Sequence, residues 1–244
     1  MRLKCLGCEA LARLIYACAA QSPHIVDIEL FALGLHNHPN KLRTQLQERI
    51  NATSAEDYDA IVLVYGICGK ATIGLSSPHL PMVIPRAHDC ITLFLGDRTR
   101  YNEQFEENPG TYWYTIDYIE RRKPGDALGA TSASTDSTAQ YEEYVQKFGK
   151  DNADYLMEVM GAWESHYQRA AFIDLGVGDG TAVAANAQEI AQRRGWLYER
   201  MAGDLVLIRK LILGEWDEHF LRLEPQQSIS MSYDDNVVEC ALVA

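Results

Sequence analysis

One stretch constrains the fold of this chain more than any other: the apolar run and glycine turn within residues 59–69. Residues 61–64 are all apolar and rich in β-branched side chains, which is typical of a strand covered on both faces. Gly66 and Gly69 then flank Cys68, and glycine is favoured where the backbone bends sharply or approaches another group closely. Because open α/β sheets bind ligands at the carboxyl ends of their strands, we expect the Cys68 thiol to face a binding site.

Two other segments have the same form. Residues 3–8 read as a short strand that ends on Cys8, and residues 82–90 read as a strand followed by His88 and Cys90. The carboxyl ends of neighbouring parallel strands meet at one edge of a sheet. We therefore expect these three strand ends to converge on one metal ion.

The order of the elements indicates an α/β fold. Predicted strands and helices alternate along the chain, which is the pattern of a parallel, doubly wound sheet. The predicted strands cover residues 2–8, 24–30, 59–67, 82–86, 170–175, 196–200, 220–223 and 229–233, and helices are predicted over 9–20, 40–52, 97–107, 182–194 and 204–213. We expect two Rossmann-like lobes with mostly parallel sheets, closely packed.

The lobe boundaries follow from composition. Residues 1–122 form the predicted N-terminal lobe with the Cys/His site. Residues 123–137 are rich in Gly, Ala, Ser and Thr, which is typical of a loop or linker. Residues 138–244 are predicted to hold a helical segment up to about residue 167, followed by the second lobe.

Composition excludes several classes of partner. The formal net charge of −12 leaves no basic surface for nucleic acid. No apolar run approaches the roughly 20 residues of a membrane span, and the first residues lack the features of a secretory signal. We therefore expect a cytoplasmic protein in which the six cysteines are reduced, buried or metal-bound rather than paired in disulfides.

The candidate metal ligands are Cys8, Cys68, Cys90 and His88. Thiolate and imidazole are the usual zinc ligands, and three protein ligands with one open position are typical of a catalytic site. His88 and Cys90 are two residues apart, so an extended loop would direct both side chains to the same side. Two alternatives remain open: three cysteines hold a [4Fe–4S] cluster with one open iron, or they are inert buried thiols.

The neighbours of these ligands have predicted roles as well. Arg86 is a candidate for binding an anionic group of the substrate. Asp89 is a candidate for orienting a metal-binding side chain without binding the metal itself. His88 is the fourth ligand or the proton carrier. Among the other cysteines, we expect Cys5 and Cys18 to be core residues and Cys240 to be incidental.

A glycine-rich turn is a second candidate site. It follows a predicted strand, precedes a helix and contains Asp174, Gly176, Gly178 and Gly180. It resembles the first motif of Rossmann-like S-adenosylmethionine methyltransferases, in which glycines let the backbone approach the cofactor. The alternative is a plain tight turn.

Two groups are weaker candidates. The aromatic cluster of residues 112–114 would line a pocket, form a contact in a homo-oligomer or simply pack in the core. His36 and His38 have the spacing of a metal-binding pair, although isolated loop histidines rarely bind metal.

The segments around the cysteines resemble an uncharacterised family, number 1638 among the domains of unknown function. The similar segments are residues 6–13, 65–69, 85–91, 95–96, 173–176, 203–205 and 214–217, whereas the turn at 178–180 departs from the family. The resemblance implies that Cys8, Cys68, His88 and Cys90 belong to the family pattern and that Cys5 and Cys18 do not. Members often accompany corrinoid-dependent methyl-transfer systems, which implies a role in one-carbon metabolism and corrinoid methyl-transfer proteins as partners.

These observations lead to one main expectation about function. We expect a zinc–thiolate enzyme, a transferase or lyase, that acts on a small molecule or a methyl group. An iron–sulfur protein whose open iron serves substrate or electron transfer is the first alternative. A non-catalytic metal or corrinoid accessory protein is the second.

Overall fold

The fold is known from a computed structural model that describes residues 1–121 and 166–242, together with 145, 146, 149, 150 and 152. The strands of the described residues are β1 (Arg2–Cys8), β2 (Ile25–Phe31), β3 (Ala60–Val64), β4 (Met82–Pro85), β5 (Thr111–Tyr114), β6 (Arg169–Asp174), β7 (Leu197–Ala202), β8 (Phe220–Leu223), β9 (Gln227–Met231) and β10 (Val238–Leu242). The α-helices of the same residues are α1 (Ala12–Ala19), α2 (Pro39–Asn51), α3 (Cys90–Leu95), α4 (Arg98–Glu107), α5 (Ile116–Glu120), α6 (Thr181–Arg194) and α7 (Val206–Leu213), and 3-10 helices cover Glu9–Leu11 and Leu33–Asn37.

A five-stranded sheet of order β2-β1-β3-β4-β8 forms the centre of the molecule. Strands β1 to β4 are parallel to their neighbours, and β8 lies antiparallel to β4 at one edge. All five residues of β3 are buried, as its unbroken apolar sequence requires for a strand covered on both faces. Since β1, β3 and β4 are adjacent and parallel, their carboxyl ends lie along the same edge of the sheet.

Two hydrophobic clusters cover the two faces of this sheet. Val62 and Val64 point into the first cluster, with side chains from α1, α3 and α7. Ile61 and Leu63 point into the second, with side chains from α2 and the β9–β10 hairpin. This alternation is the period-two pattern of a central strand.

The second sheet is parallel, with the order β5-β6-β7. Its residues Ala171, Ile173 and Met201 belong to the same cluster as Val62 and Val64, so the two sheets share one core. Its other face packs against α6 in a third cluster. The predicted α/β fold with two closely packed, mostly parallel units is confirmed.

Several element boundaries differ from the prediction. The first predicted helix begins with the 3-10 turn Glu9–Leu11, and the central strand ends at Val64 because the chain bends at Gly66. The predicted strand 229–233 does not join a large sheet, since β9 pairs with β10 in an antiparallel hairpin. The C-terminal half of the chain contributes β8 to the first sheet. The predicted linker 123–137 and most of the helical segment 138–167 lie outside the described residues.

None of the helices within the described residues has the length and apolar character needed to cross a membrane.

Candidate functional site

The turn after β3 has an unusual backbone. Cys68, Gly69 and Lys70 all have left-handed conformations, with φ angles of 46°, 64° and 71°. Two of these three residues carry a Cβ atom, so the conformation has a steric cost that the surrounding structure must offset. The compensation includes two backbone hydrogen bonds to the turn after β4: Ile67 donates to Ala87 at 3.0 Å and Cys68 donates to His88 at 3.1 Å.

Gly66 makes this close pairing of the two turns possible. A Cβ atom at position 66 would lie 2.7 Å from the backbone nitrogen of Asp89 and 2.8 Å from the carbonyl oxygen of Ala87. Backbone atoms cannot move aside as a flexible side chain can, so only glycine fits. Glycine is therefore required at position 66 because the turn after β4 approaches its backbone closely.

Three thiols line one cavity of about 330 Å³, which we call the thiol cavity. Cys8 is the last residue of β1, Cys68 follows β3, and Cys90 is the first residue of α3 after β4. The sequence predicted that these three cysteines lie at neighbouring strand ends, and the structure brings them to the same cavity wall.

Burial decides the protonation of these thiols. It raises the pKa of Cys8 to about 11 and that of Cys68 to about 12, and it raises the pKa of Cys90 well above the ordinary value. The thiols also raise one another's pKa, because a second negative charge beside the first is unfavourable. All three are therefore neutral at pH 7 unless a cation binds beside them.

Backbone amides offset part of this effect. The backbone amides of Ala10, Gly66 and Cys90 act on Cys8, Cys68 and Cys90 in turn and lower each thiol's pKa. A backbone amide near a sulfur favours the thiolate form.

The remaining cysteines have other environments. Cys5 and Cys18 lie in the first hydrophobic cluster, where burial raises the pKa of Cys5 to about 12 and that of Cys18 to about 11. Cys240 is an exposed residue of β10. These positions agree with the expectation that the three cysteines lie outside the site.

Asp89 connects the cavity wall to the helices behind it. Its carboxylate caps α3 by accepting from the N–H groups of Ile91 at 2.9 Å and Thr92 at 3.4 Å, and it accepts from the Tyr101 hydroxyl at 3.2 Å. Burial raises the pKa of Asp89 despite these bonds. Its charge in turn raises the pKa of Cys68 and Cys90, so a cation in the cavity would relieve repulsion among all three.

His88 and Arg86 do not line the thiol cavity. His88 is exposed and its ring stacks on Tyr101, with centroids 5.5 Å apart. Arg86 turns toward the C-terminal hairpin, where its guanidinium donates to the carbonyl oxygens of Asn236 and Val238. The predicted same-side placement of His88 and Cys90 is wrong, because Cys90 already begins a helix while the His88 ring packs against α4.

The thiols share a cavity without forming a coordination sphere. Within the part of the chain that the structure describes, no group of three or more His, Cys, Asp or Glu side chains is arranged so that it could hold a metal ion. Metal binding would therefore require the thiols of Cys8, Cys68 and Cys90 to move from the positions they have in this structure.

Comparison with known proteins identifies the family. A family model described as "Protein of unknown function (DUF1638)" matches residues 30–212, which is most of the chain. The chain belongs to this family. No curated protein shows significant similarity to it, and no solved structure does. The matched range of DUF1638 includes Cys68, His88 and Cys90 and begins after Cys8.

The glycine-rich turn of this DUF1638 chain has structural partners. Asp174 accepts from the N–H of Gly176 at 3.0 Å and pairs with Arg200 at 2.5 Å. Gly180 packs on Phe172, since a Cβ atom there would lie 2.6 Å from the ring. Gly178 lies beside Arg13, at 3.4 Å from a Cβ atom built at this position. These contacts account for the turn as local structure, and its role in cofactor binding stays a prediction.

Two residues that line the thiol cavity, His36 and Tyr65, show little or no sign of a functional role in the sequence. His36, from the 3-10 helix after β2, lines the cavity and places Nδ1 2.6 Å from the carbonyl oxygen of Leu33. A carbonyl only accepts, so Nδ1 donates this hydrogen bond. Tyr65, directly after β3, also lines the cavity. Its position after a buried strand was the only available signal.

A larger aromatic cleft lies next to the thiol cavity. Its volume is about 530 Å³, and its walls include Tyr101 and Phe105. Asp89, Ile91 and Trp113 line both spaces, so the two are adjacent. A molecule larger than the thiol cavity would therefore have room for an apolar or aromatic portion beside it.

Proposed function

We propose that this DUF1638 protein is a metal-dependent enzyme in which Cys8, Cys68 and Cys90 hold a zinc ion and convert a small molecule bound in the thiol cavity. One observation carries the proposal: thiols from three adjacent strand ends line the same cavity. Buried structural cysteines have no reason to share a cavity wall, whereas ligands do.

The charges around the thiols favour a cation. No Lys or Arg is among the described residues that line the cavity, and Asp89 adds a negative charge. The thiols therefore lack a positively charged side chain that would stabilise their ionised form, and backbone amides lower each pKa only in part. A divalent, thiophilic ion supplies the missing charge, so the donor chemistry fits zinc.

Each residue of the site has its own proposed role. Zinc held by sulfur ligands lowers the pKa of a bound group and leaves it nucleophilic at neutral pH. His36 is the proposed fourth ligand or proton carrier, because it lines the thiol cavity and the Leu33 carbonyl orients its ring through Nδ1. Asp89 fixes Cys90 by capping α3, and the adjacent aromatic cleft excludes water from the apolar part of the substrate.

The kind of metabolism is also part of the proposal. We infer a transferase or lyase of small-molecule or methyl-group metabolism that works with corrinoid methyl-transfer proteins. The basis is the family resemblance, and the cavity of about 330 Å³ suits a small substrate. Adding a purified methyl-corrinoid protein together with a small thiol tests this point: transfer of the methyl group from cobalt to the thiol sulfur, with release of the thiol proton, at a rate that depends on Cys68 is the expected result.

Metal analysis of the protein purified without oxygen tests the proposal itself. We expect a colourless protein with one zinc ion per chain, and loss of zinc in the Cys8→Ser, Cys68→Ser and Cys90→Ser variants. Cys240→Ser, at an exposed position, is the matched control and should retain zinc. A folded protein that binds no metal after anaerobic reconstitution would refute the proposal.

An iron–sulfur protein with an open iron site is the second candidate. The three cysteines that line one cavity favour it, because three thiolates can hold a [4Fe–4S] cluster and leave one iron open. A brown protein with broad absorbance near roughly 400 nm and several irons per chain would show that the site holds an iron–sulfur cluster instead of zinc.

A non-catalytic metal or corrinoid accessory protein would show a different behaviour. The thiol cavity would then hold the metal until it is passed on. Such a protein releases its metal readily to a chelator such as EDTA, whereas the proposed catalytic site retains it. The rate of zinc transfer to the chelator separates the two.

A further inference from the structure

Helix α4 keeps aromatic side chains outside the hydrophobic core. No residue of α4 is buried, and Phe105 is 61 % exposed. Tyr101 and Phe105 lie one turn apart on the helix, and their rings stack with centroids 6.2 Å apart. A single exposed aromatic ring is common on protein surfaces, but both of these rings line the aromatic cleft. Their shared position calls for an explanation.

Aromatic rings from separate parts of the fold meet at this cleft of about 530 Å³. Trp113 belongs to β5, and Tyr167 lies two residues before β6. Together with Tyr101 and Phe105 of α4, they line the cleft with two tyrosines, a phenylalanine and a tryptophan. The face of an aromatic ring carries partial negative charge, and the volume is within the range of small-molecule sites. The cleft therefore offers a ligand an apolar wall with negative ring faces.

Arg169 holds the wall of the cleft in place. It is 5 % exposed, does not line the cleft, and its guanidinium lies 5.5 Å from the centroid of the Trp113 ring. It donates to Gln104 of α4 at 2.6 Å, to Thr111 of β5 at 2.9 Å and to Glu199 of β7 at 2.7 Å. The Glu199 carboxylate balances the charge of the guanidinium, so Arg169 adds little net positive charge to the cleft. These bonds join three elements before a ligand binds, which lowers the entropic cost of binding.

The charges around the cleft are negative. Asp89 lines it, and no Lys or Arg is among the described lining residues, whose other titratable groups are His166 and the tyrosines. The part of α4 from residue 101 to residue 107 adds the exposed carboxylates of Glu103, Glu106 and Glu107 and no basic side chain. A cation is attracted both by carboxylates and by the faces of aromatic rings, whereas an anion is repelled by both. The cleft therefore favours a positively charged ligand.

We propose that the aromatic cleft binds the cationic end of the substrate, a quaternary ammonium group, against Phe105 and Trp113. Such a group has an apolar surface and a positive charge, so it fits an aromatic wall beside a carboxylate. The inference rests on the proposed function in that Asp89, Ile91 and Trp113 line both spaces, so the rest of the molecule extends into the thiol cavity. It differs from the expected anionic group at Arg86, whose guanidinium binds the C-terminal hairpin.

A matched pair of probes tests the inference on the full chain. The probes are choline and its uncharged carbon analogue, in which a carbon atom replaces the nitrogen, so the two have the same shape and differ in charge. Calorimetry measures both affinities. We expect wild type to bind choline about tenfold more tightly than the analogue, because carboxylate and ring faces attract only the cation.

Two substitutions change the attraction for the cation separately. Phe105→Leu keeps an apolar side chain and removes the ring, and Asp89→Asn removes the charge but keeps an acceptor that can cap α3. Each should lower the ratio of choline affinity to analogue affinity about threefold or more. Phe105→Tyr keeps the ring and should keep the wild-type ratio. Tyr16→Leu, which removes an exposed ring from α1, should keep it as well.

The ratio of the two affinities distinguishes a cation site from a merely apolar one. Because Phe105 is mostly exposed, the variants at this position should fold, which urea denaturation checks. Equal affinity of wild type for choline and its analogue would overturn the inference, since the cleft would then select apolar surface alone. A wild-type ratio in Phe105→Leu would overturn it too, as would the absence of choline binding.

The zinc content of each sample is measured in parallel, which separates this inference from the proposed function. Zinc-containing protein that binds the two probes equally leaves the proposed function in place and removes the cation site. Protein that binds no metal but prefers choline, with a lower ratio in Phe105→Leu, has the reverse meaning.

Discussion

The backbone N–H of Cys68 donates to the carbonyl oxygen of His88 at 3.1 Å, which ties the turn after β3 to the turn after β4. This bond, and the parallel one from Ile67 to Ala87, fixes the distance between Cys68 and Cys90 through rigid backbone rather than side chains. Two candidate ligands that are far apart in sequence are thereby held on one cavity wall before any ligand binds. Such preorganisation lowers the entropic cost of binding.

Gly66→Ala tests this coupling of the two turns. The added Cβ atom would lie 2.7 Å from the Asp89 nitrogen, so the turn after β4 must move away. We expect a loss of about 1–3 kcal/mol in the free energy of unfolding and a weaker affinity for zinc. Urea denaturation and zinc titration measure the two effects.

Gly176→Ala is the matched control for that variant. Position 176 has a positive φ angle, 66°, which position 66 does not, and nothing lies within 4 Å of the added Cβ atom. The variant should lose about 1 kcal/mol of stability from backbone strain alone and bind zinc as wild type does. Equal zinc affinity in Gly66→Ala and wild type would show that the two turns are not coupled to the site.

Arg86 is expected to stabilise the C-terminal hairpin. Its guanidinium donates to the backbone of Asn236 and Val238, and removing a charged hydrogen-bond donor typically costs about 1.5–3 kcal/mol. Since Arg86 is only partly buried, we expect the lower end of that range for Arg86→Met, which keeps the apolar stem.

Urea denaturation measures this loss, and zinc titration should give the wild-type affinity. Arg193→Met, at an exposed position of α6, should leave stability unchanged. If Arg86→Met kept full stability but bound zinc more weakly, Arg86 would belong to the ligand site.

The grouping of Cys8, Cys68 and Cys90 could be predicted because it depends on a simple rule. Parallel strands end at a common edge, and each cysteine follows an apolar strand directly or within a few residues. The rule uses only strand direction, which the βαβ order determines. The same reasoning predicted the α/β class.

Side-chain direction beyond the strand ends could not be predicted in this way. His88 was assigned to the site from an extended-loop alternation, but Asp89 caps α3 at that point and the His88 ring stacks on Tyr101. His36 reaches the cavity only because Leu33–Asn37 folds as a 3-10 helix after β2. Such positions depend on packing between segments distant in the chain, for which a single sequence carries no periodic signal.

The glycine-rich turn gives a pH-dependent prediction. The hydrogen bond from Arg200 lowers the pKa of Asp174 below its ordinary value, helped by the N–H of Gly176. A carboxyl whose pKa is lowered in the folded state stabilises the fold above its unfolded pKa of 3.8, and this contribution is lost as the pH falls through the lower folded value.

Asp174→Asn keeps the acceptor for Gly176 and removes the charge. We expect a small loss of stability at pH 7 that disappears at acidic pH below the folded pKa and shrinks in high salt, because the pair is exposed. Thermal unfolding across this pH range measures it. A loss that persists with the same size at low pH would show that Asp174 acts through hydrogen bonding rather than charge.

We predict opposite effects on zinc affinity when His36 and His88 are replaced. The Nδ1 of His36 is engaged with the carbonyl of Leu33, which orients the ring, and His36 is one of the residues that line the thiol cavity. His88 is exposed and stacked on Tyr101. We therefore expect His36→Ala to lower zinc affinity by about tenfold or more, and His88→Ala to leave it unchanged.

Competition with a chromophoric chelator measures both zinc affinities under the same conditions. His88→Ala should lose about 0.5–1.5 kcal/mol of stability with the ring stacking, so it is a variant that changes the fold's stability without changing the site. His38→Ala, at an exposed residue two positions from His36, controls for changes near the 3-10 helix. Weakened zinc binding in His88→Ala with wild-type affinity in His36→Ala would restore His88 as the ligand, and it would require the turn after β4 to rearrange when the metal binds.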